Sequence, residues 1–254
     1  YAMGATPFLA LTIAALPPDL DISVSKEIMH GLGEKAIEAG TAIAGGHTIQ
    51  DKEPKIGLVV LGFAKENELL RKNGLKLGDR LILSKPLGFG TTTTAIKQQT
   101  ASPEDIQEVV SWMSRLNRGA MELAVRHHLK AGTDVTGFSF LGHAWEMASS
   151  AGLGLQISLE KIPFISCAKK HAAAWRFPGG AFDNKLFYDS FIEFDPDIPE
   201  DHQMLLFDPQ TSGGLLLGVP KAKIEAFLSD AEKAGQPAWE VGKVVPGDKI
   251  IVGL

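Results

Sequence analysis

The sequence predicts an α+β fold laid down in two domains. Three observations predict it. Short apolar or alternating runs and longer helical patterns follow one another in mixed order, without the regular alternation of a wholly parallel sheet. The 254 residues are enough for two domains of ordinary size, each with its own core. A polar stretch with two glycines, Asn67 to Asp79, divides the pattern, giving an N-terminal domain over residues 1–66, a linker over 67–78 and a C-terminal domain over 79–254.

Taken in order, Phe8 to Leu16 is apolar and partly β-branched and stops at Pro17-Pro18, as a buried strand does. Ser25 precedes a helical pattern with Ile28, Met29, Leu32, Ala36 and Ile37 on one face, ended by Gly40. A short strand, Ala42 to Gly46, and another, Ile56 to Phe63, complete the first domain. In the second domain Arg80 to Ser84 is a strand. Ser102-Pro103-Glu104-Asp105 opens a helix with a cap, a proline in the first turn and an acid three residues past the cap. That helical pattern runs to Lys130 with a break near Asn117–Gly119, and Gly132 is expected to stop it. Phe138 to Ser150 and Ala222 to Ala234 are further helices, the latter opened by Pro220. Strands are expected at Leu153–Leu159, Lys185–Phe191, Gly214–Val219, Trp239–Val245 and Lys249–Val252.

Composition excludes some classes. Apolar residues are 44% and charged residues 22%, with a net charge of -5, which argues against a general nucleic-acid surface. No apolar run reaches the roughly 18 residues that span a bilayer. The single cysteine, Cys167, rules out a disulfide within the chain and fits a cytoplasmic setting. The chain opens on Tyr1 and an apolar stretch, which is expected of a piece of a longer protein.

Four segments join glycines to small polar or acidic residues. Gly45-Gly46-His47-Thr48 after a strand is either a phosphate-binding turn or a tight turn with a surface histidine. In Thr133-Asp134-Val135-Thr136-Gly137, Asp134 either caps the helix that follows or offers a hard oxygen to magnesium. His143 in that helix reads as packed or exposed. Asp208 to Leu215 is a polar turn that either touches a substrate or holds a loop. Gly88-Phe89-Gly90 with Thr91 to Thr94 lacks the lysine of a P-loop and reads as a capped helix start, with Lys85 before it solvated. Cys167 with His171 lacks the surroundings of a nucleophile, and no spacing suggests a zinc site.

Singly these motifs say little. In order, Tyr1 to Pro7 (YAMGATP), Gly45–Thr48 (GGHT), Lys85–Gly88 (KPLG), Leu116–Arg118 (LNR), Thr133–Phe138 (TDVTGF) with Leu141–His143 (LGH), and Thr211–Leu216 (TSGGLL) resemble the selenophosphate synthetases (selenide, water dikinases) along essentially the whole chain. That family lies in the aminoimidazole ribonucleotide synthetase-like superfamily. The resemblance implies two α/β domains with mixed or antiparallel sheets flanked by helices. The N-terminal segment would be the remainder of an ATP-binding and dimerisation domain. It implies a cytoplasmic homodimer that binds ATP and selenide and joins selenide to a phosphoryl group of ATP, leaving AMP and orthophosphate. Mg2+ would neutralise and align the polyphosphate. By position, Asp134 matches a magnesium-ligating aspartate, and Gly45, Gly46, His47 and Thr48 match an ATP-binding turn. No catalytic residue is assigned, because the family's reactive cysteine or selenocysteine, its lysine and further metal-binding aspartates lie in a segment this chain does not contain. The chain alone is therefore expected not to turn over ATP. Ala5 stands where the family often has glycine. A non-catalytic nucleotide-binding homologue and another ATP-dependent enzyme of the superfamily are the alternatives.

Overall fold

The apolar run near the N-terminus forms one long strand, β1 (Thr6–Leu16), in the computed structural model, which describes residues 1–254. Along it Ala10, Thr12 and Ala14 are buried while Leu11 and Ile13 are exposed, so the two faces of the strand differ. Helix α1 (Ile22–Glu38) follows, capped by Asp21, whose carboxylate accepts from the Ser23 amide, and not by Ser25. Of the apolar face expected on α1 only Ala36 is fully buried, and Ile37 is 80% exposed. Strands β2 (Ala42–Gln50) and β3 (Lys55–Phe63) flank β1 in the order β2-β1-β3. β2 pairs parallel and β3 antiparallel to β1. These elements make up the smaller unit, Tyr1 with Ala5–Asn67.

The larger unit comprises Ala2–Gly4 and Glu68–Leu254. Residues 68–78, expected to be linker, belong to it. Leu70 and Leu75 are buried, and the Leu70 and Arg71 amides bond the carbonyls of Met3 and Lys130. The segment is polar at its surface but anchored by two leucines. Its elements are β4 (Arg80–Leu83), α2 (Phe89–Lys97), α3 (Pro103–Ser114), α4 (Arg118–Arg126), β5 (Ala131–Asp134) and α5 (Ser139–Ala151). There follow β6 (Gly154–Ser158), α6 (Ala168–Ala173), α7 (Gly179–Tyr188), β7 (Ile192–Phe194), α8 (Glu200–Leu206), β8 (Leu215–Val219), α9 (Ile224–Lys233), β9 (Trp239–Val245) and β10 (Ile250–Gly253). The seven strands lie in the order β5-β8-β4-β9-β6-β10-β7, antiparallel from β5 to β6 and parallel from β6 to β7. β4 and β8 are buried along nearly their whole length, as central strands are.

Two expectations fail here for identifiable reasons. The helical pattern after Ser102 does break, at residues 115–117, but α4 ends at Arg126. His128 takes a left-handed φ of 54°, and Gly132 sits inside β5. The stretch Lys185–Phe191 is not a strand. Ala181, Asn184 and Tyr188 are buried one face of a helix apart, and the strand begins only at Ile192.

Candidate functional site

Gly45 to Thr48 do not form a turn. They continue β2, which lies at the sheet edge, and all four are exposed. The pairing slips by one residue here: Ala10 faces Ile43, but Leu11 faces Gly45, so Ala44 is the extra residue of a bulge. Gly46 then packs so close to the β1 backbone that a Cβ would stand 2.1 Å from the Thr12 carbonyl oxygen. Gly46 thus lets the bulged edge strand hug its neighbour, while a Cβ on Gly45 would meet nothing. The pair leaves a stretch of backbone without side chains next to the imidazole of His47 and the hydroxyl of Thr48.

Asp134 ends β5 in the larger unit, paired with Leu215 of β8. It does not cap α5, whose first turn has no side-chain cap. It is half-buried, and its carboxylate makes no hydrogen bond or ion pair in the chain. Such a group supplies hard oxygens free to meet a cation. Thr136, two residues on, meets His143 through Oγ1 to Nε2 at 3.0 Å. His143 Nδ1 lies 3.0 Å from Glu146, and Glu146 accepts from Lys72 Nζ at 2.6 Å. Burial holds the His143 pKa below its usual value, outweighing the Glu146 carboxylate. His143 is therefore a packed residue that ties the segment after Asp134 to α5.

Asp208–Leu215 crosses the same end of the sheet. Gln210 is its hub: its Oε1 accepts from the Gly88 and Phe89 amides, its Nε2 donates to Asp208, and its own amide donates to the Thr136 carbonyl. Gln210 thus caps α2 from a distance, the role Gly88 cannot fill itself. Asp208 is fully buried over the first turn of α2, and burial raises its pKa to about 7 against the pull of the Thr91 and Gly90 amides and of Gln210. Lys85, expected to be solvated, is 1% exposed, and its Nζ donates to the Ser212 carbonyl at 2.8 Å.

Distant in sequence, Asp105, Cys167 and His171 come together with donor atoms within 4.8 Å of one another, all buried. Spacing alone could not show this. His171 Nε2 lies 3.1 Å from Asp105, and its Nδ1 lies 3.0 Å from Arg176 Nη1. Arginine can only donate, so Nδ1 accepts and Nε2 carries the proton. Both ring nitrogens are engaged, and the Arg176 guanidinium stands where it opposes a cation. Cys167 meets the Thr92 hydroxyl at 3.4 Å, and burial raises its thiol pKa. The group ties α3 to α6, and nothing in it activates the thiol.

Comparison with known proteins agrees across both units. Residues 1–64 match the AIR synthase related protein N-terminal domain, and residues 76–254 match the AIR synthase related protein C-terminal domain. The chain is 42% identical over 253 residues to a selenide, water dikinase of Clostridium botulinum (strain Alaska E43 / Type E3), covering 99% of this chain and 73% of the relative. It is 40% identical over 256 residues to that of Pelobacter propionicus, covering 99% and 74%. Among solved structures, hydrogenase maturation protein HypE in complex with ATP shares the fold with a TM-score of 0.71 at 18% identity, covering 96% of this chain and 67% of that one. Shared sequence at this level along both domains means that the chain belongs to the selenide, water dikinase family of AIR synthase related proteins.

Proposed function

We propose that the protein makes selenophosphate from selenide and ATP, leaving AMP and orthophosphate. Asp134 would be one ligand of the Mg2+ that carries the polyphosphate, and Gly45–Thr48 part of the nucleotide site. The observation that carries the magnesium reading is the unpaired, half-buried carboxylate of Asp134. Mg2+ bound there would neutralise phosphate charge, while the chain's role is to fix the carboxylate at a strand end. The exposed strand at Gly45-Gly46, just past the bulge at Ala44, supports approach of a phosphate or ribose to bare backbone, with Thr48 offering a hydroxyl. Relatives named selenide, water dikinase favour this reading over a non-catalytic homologue. The three-stranded sheet leaves Phe8, Leu11, Ile13, Val59 and Leu61 each at least 40% exposed, which supports a homodimer through this unit.

The test uses the full-length protein with ATP, Mg2+ and selenide under anaerobic conditions, followed by phosphorus NMR. A selenium-coupled phosphorus signal appearing together with AMP and orthophosphate is expected. Asp134→Asn should raise the Mg2+ concentration needed for half-maximal rate about tenfold or more. Intact ATP with nucleotide still bound would refute the synthetase reading, and an unchanged Mg2+ requirement would remove Asp134 from the metal.

A further inference from the structure

Lys85 is 1% exposed, the one lysine or arginine among the buried residues of this chain. Burying an ammonium is costly unless it is well engaged. Here it grips a backbone carbonyl, that of Ser212, and Ser212 itself holds a left-handed φ of 58°. Beside it Asn117 Nδ2 donates to the Gly213 carbonyl at 2.9 Å. The segment 210–214 is thus held from one side by two donors, one after β4 and one at the start of α4.

Its other side bears on the residues that follow Asp134. The Val135 amide donates to the Gly214 carbonyl at 2.9 Å, and the Gln210 amide donates to the Thr136 carbonyl at 3.0 Å. Gly213 lies so near Val135 that a Cβ would stand 2.2 Å from its carbonyl oxygen. A Cβ on Gly214 would stand 2.5 Å from the Lys85 amide nitrogen. The two glycines form a wedge with no slack between Lys85 and Val135.

We propose that Lys85 and Asn117 are positioning residues for the cation site at Asp134, acting through the 210–214 wedge. The inference rests on the reading of Asp134 as a cation ligand. Lys85 fixes Ser212, Asn117 fixes Gly213, and the wedge fixes the backbone at 135–136, so the end of β5 cannot shift along its axis. A carboxylate that presents itself to a metal from a fixed backbone loses less freedom on binding, and loss of such outer support lowers metal affinity about 10- to 100-fold.

The experiment titrates Mn2+ into the isotope-labelled chain and follows paramagnetic broadening of the Asp134, Val135 and Thr136 amide signals. Lys85→Met and Asn117→Ala should each move the midpoint at least about tenfold higher, with signals far from β5 unchanged. Asp134→Asn should abolish site-specific broadening. Should Lys85→Met fail to fold, as judged by amide dispersion, Asn117→Ala decides. Wild-type midpoints in the folded variants, even with a lowered melting temperature, would overturn the positioning role while Asp134→Asn still abolishes broadening. Unaltered broadening in Asp134→Asn would instead overturn the cation reading and the inference with it.

Discussion

Replacing Asp208 by asparagine should make the protein more stable, by a margin that is small near pH 4, already present at pH 5 and largest by pH 8. Asp208 is fully buried, and its pKa rises to about 7, with burial as the largest cause. Neither its Oδ1 nor the Thr91 hydroxyl makes a well-formed hydrogen bond, and Thr91 stands close enough for a protonated carboxyl to share its hydrogen with it. In the unfolded chain the same group titrates near 3.9. Between those values the folded state holds a proton that the unfolded state has released. Stability therefore falls as pH rises through this window and levels off above about 7. Each pH unit is worth about 1.4 kcal/mol, so the full penalty reaches about 4 kcal/mol. Asparagine keeps the shape and never ionises. The assay is urea unfolding of both proteins at pH 5, 6, 7 and 8, read as the difference in stability at each pH. Other carboxylates cancel in that difference. A gap that opens by about 1 kcal/mol per unit between pH 5 and 7 is expected. Parallel pH profiles would refute the claim that Asp208 is protonated in the folded state.

Gly46→Ala should strip β2 from β1, because its methyl would meet the Thr12 carbonyl oxygen at 2.1 Å. A loss above about 2 kcal/mol in urea melts is expected, with rapid amide exchange confined to β2, whereas Gly57→Ala in β3, where a Cβ meets nothing, should cost less than half as much. His171→Phe should destabilise by about 2–3 kcal/mol, since it leaves Asp105 and Arg176 without their shared partner. Burial raises the Asp105 pKa, but the Ser102 amide, His171 and Lys170 outweigh it and hold it below the usual value. The support from this carboxylate is thus present above the unfolded pKa near 4 and disappears as pH falls below it. Acid unfolding of His171→Phe should accordingly show a shallower loss of stability below pH 4.

Local grammar is legible where one element decides its own fate. The capping box at Ser102–Asp105 is present in both directions, and the strands at β1, β4, β8 and β9 follow their apolar runs. The order of weak motifs suffices to place the chain in its family. The glycine pair at 45–46 reads as a turn in the sequence because glycine permits both a turn and a close approach of backbones. Only the neighbour, Thr12 on β1, selects the second. Lys85 reads as solvated because a lysine's burial depends on a carbonyl 127 residues away. The same is true of Asp105 with His171 and of Gln210 with the α2 amides: each side chain finds its partner more than 60 residues off. The sequence by itself determined the class of fold, the family and the chemistry Asp134 can offer, since these reside in residue type and local spacing. Tertiary structure alone decided what holds Asp134, which carboxylate keeps its proton and which lysine is buried, because burial and long-range hydrogen bonds exist only once distant segments pack.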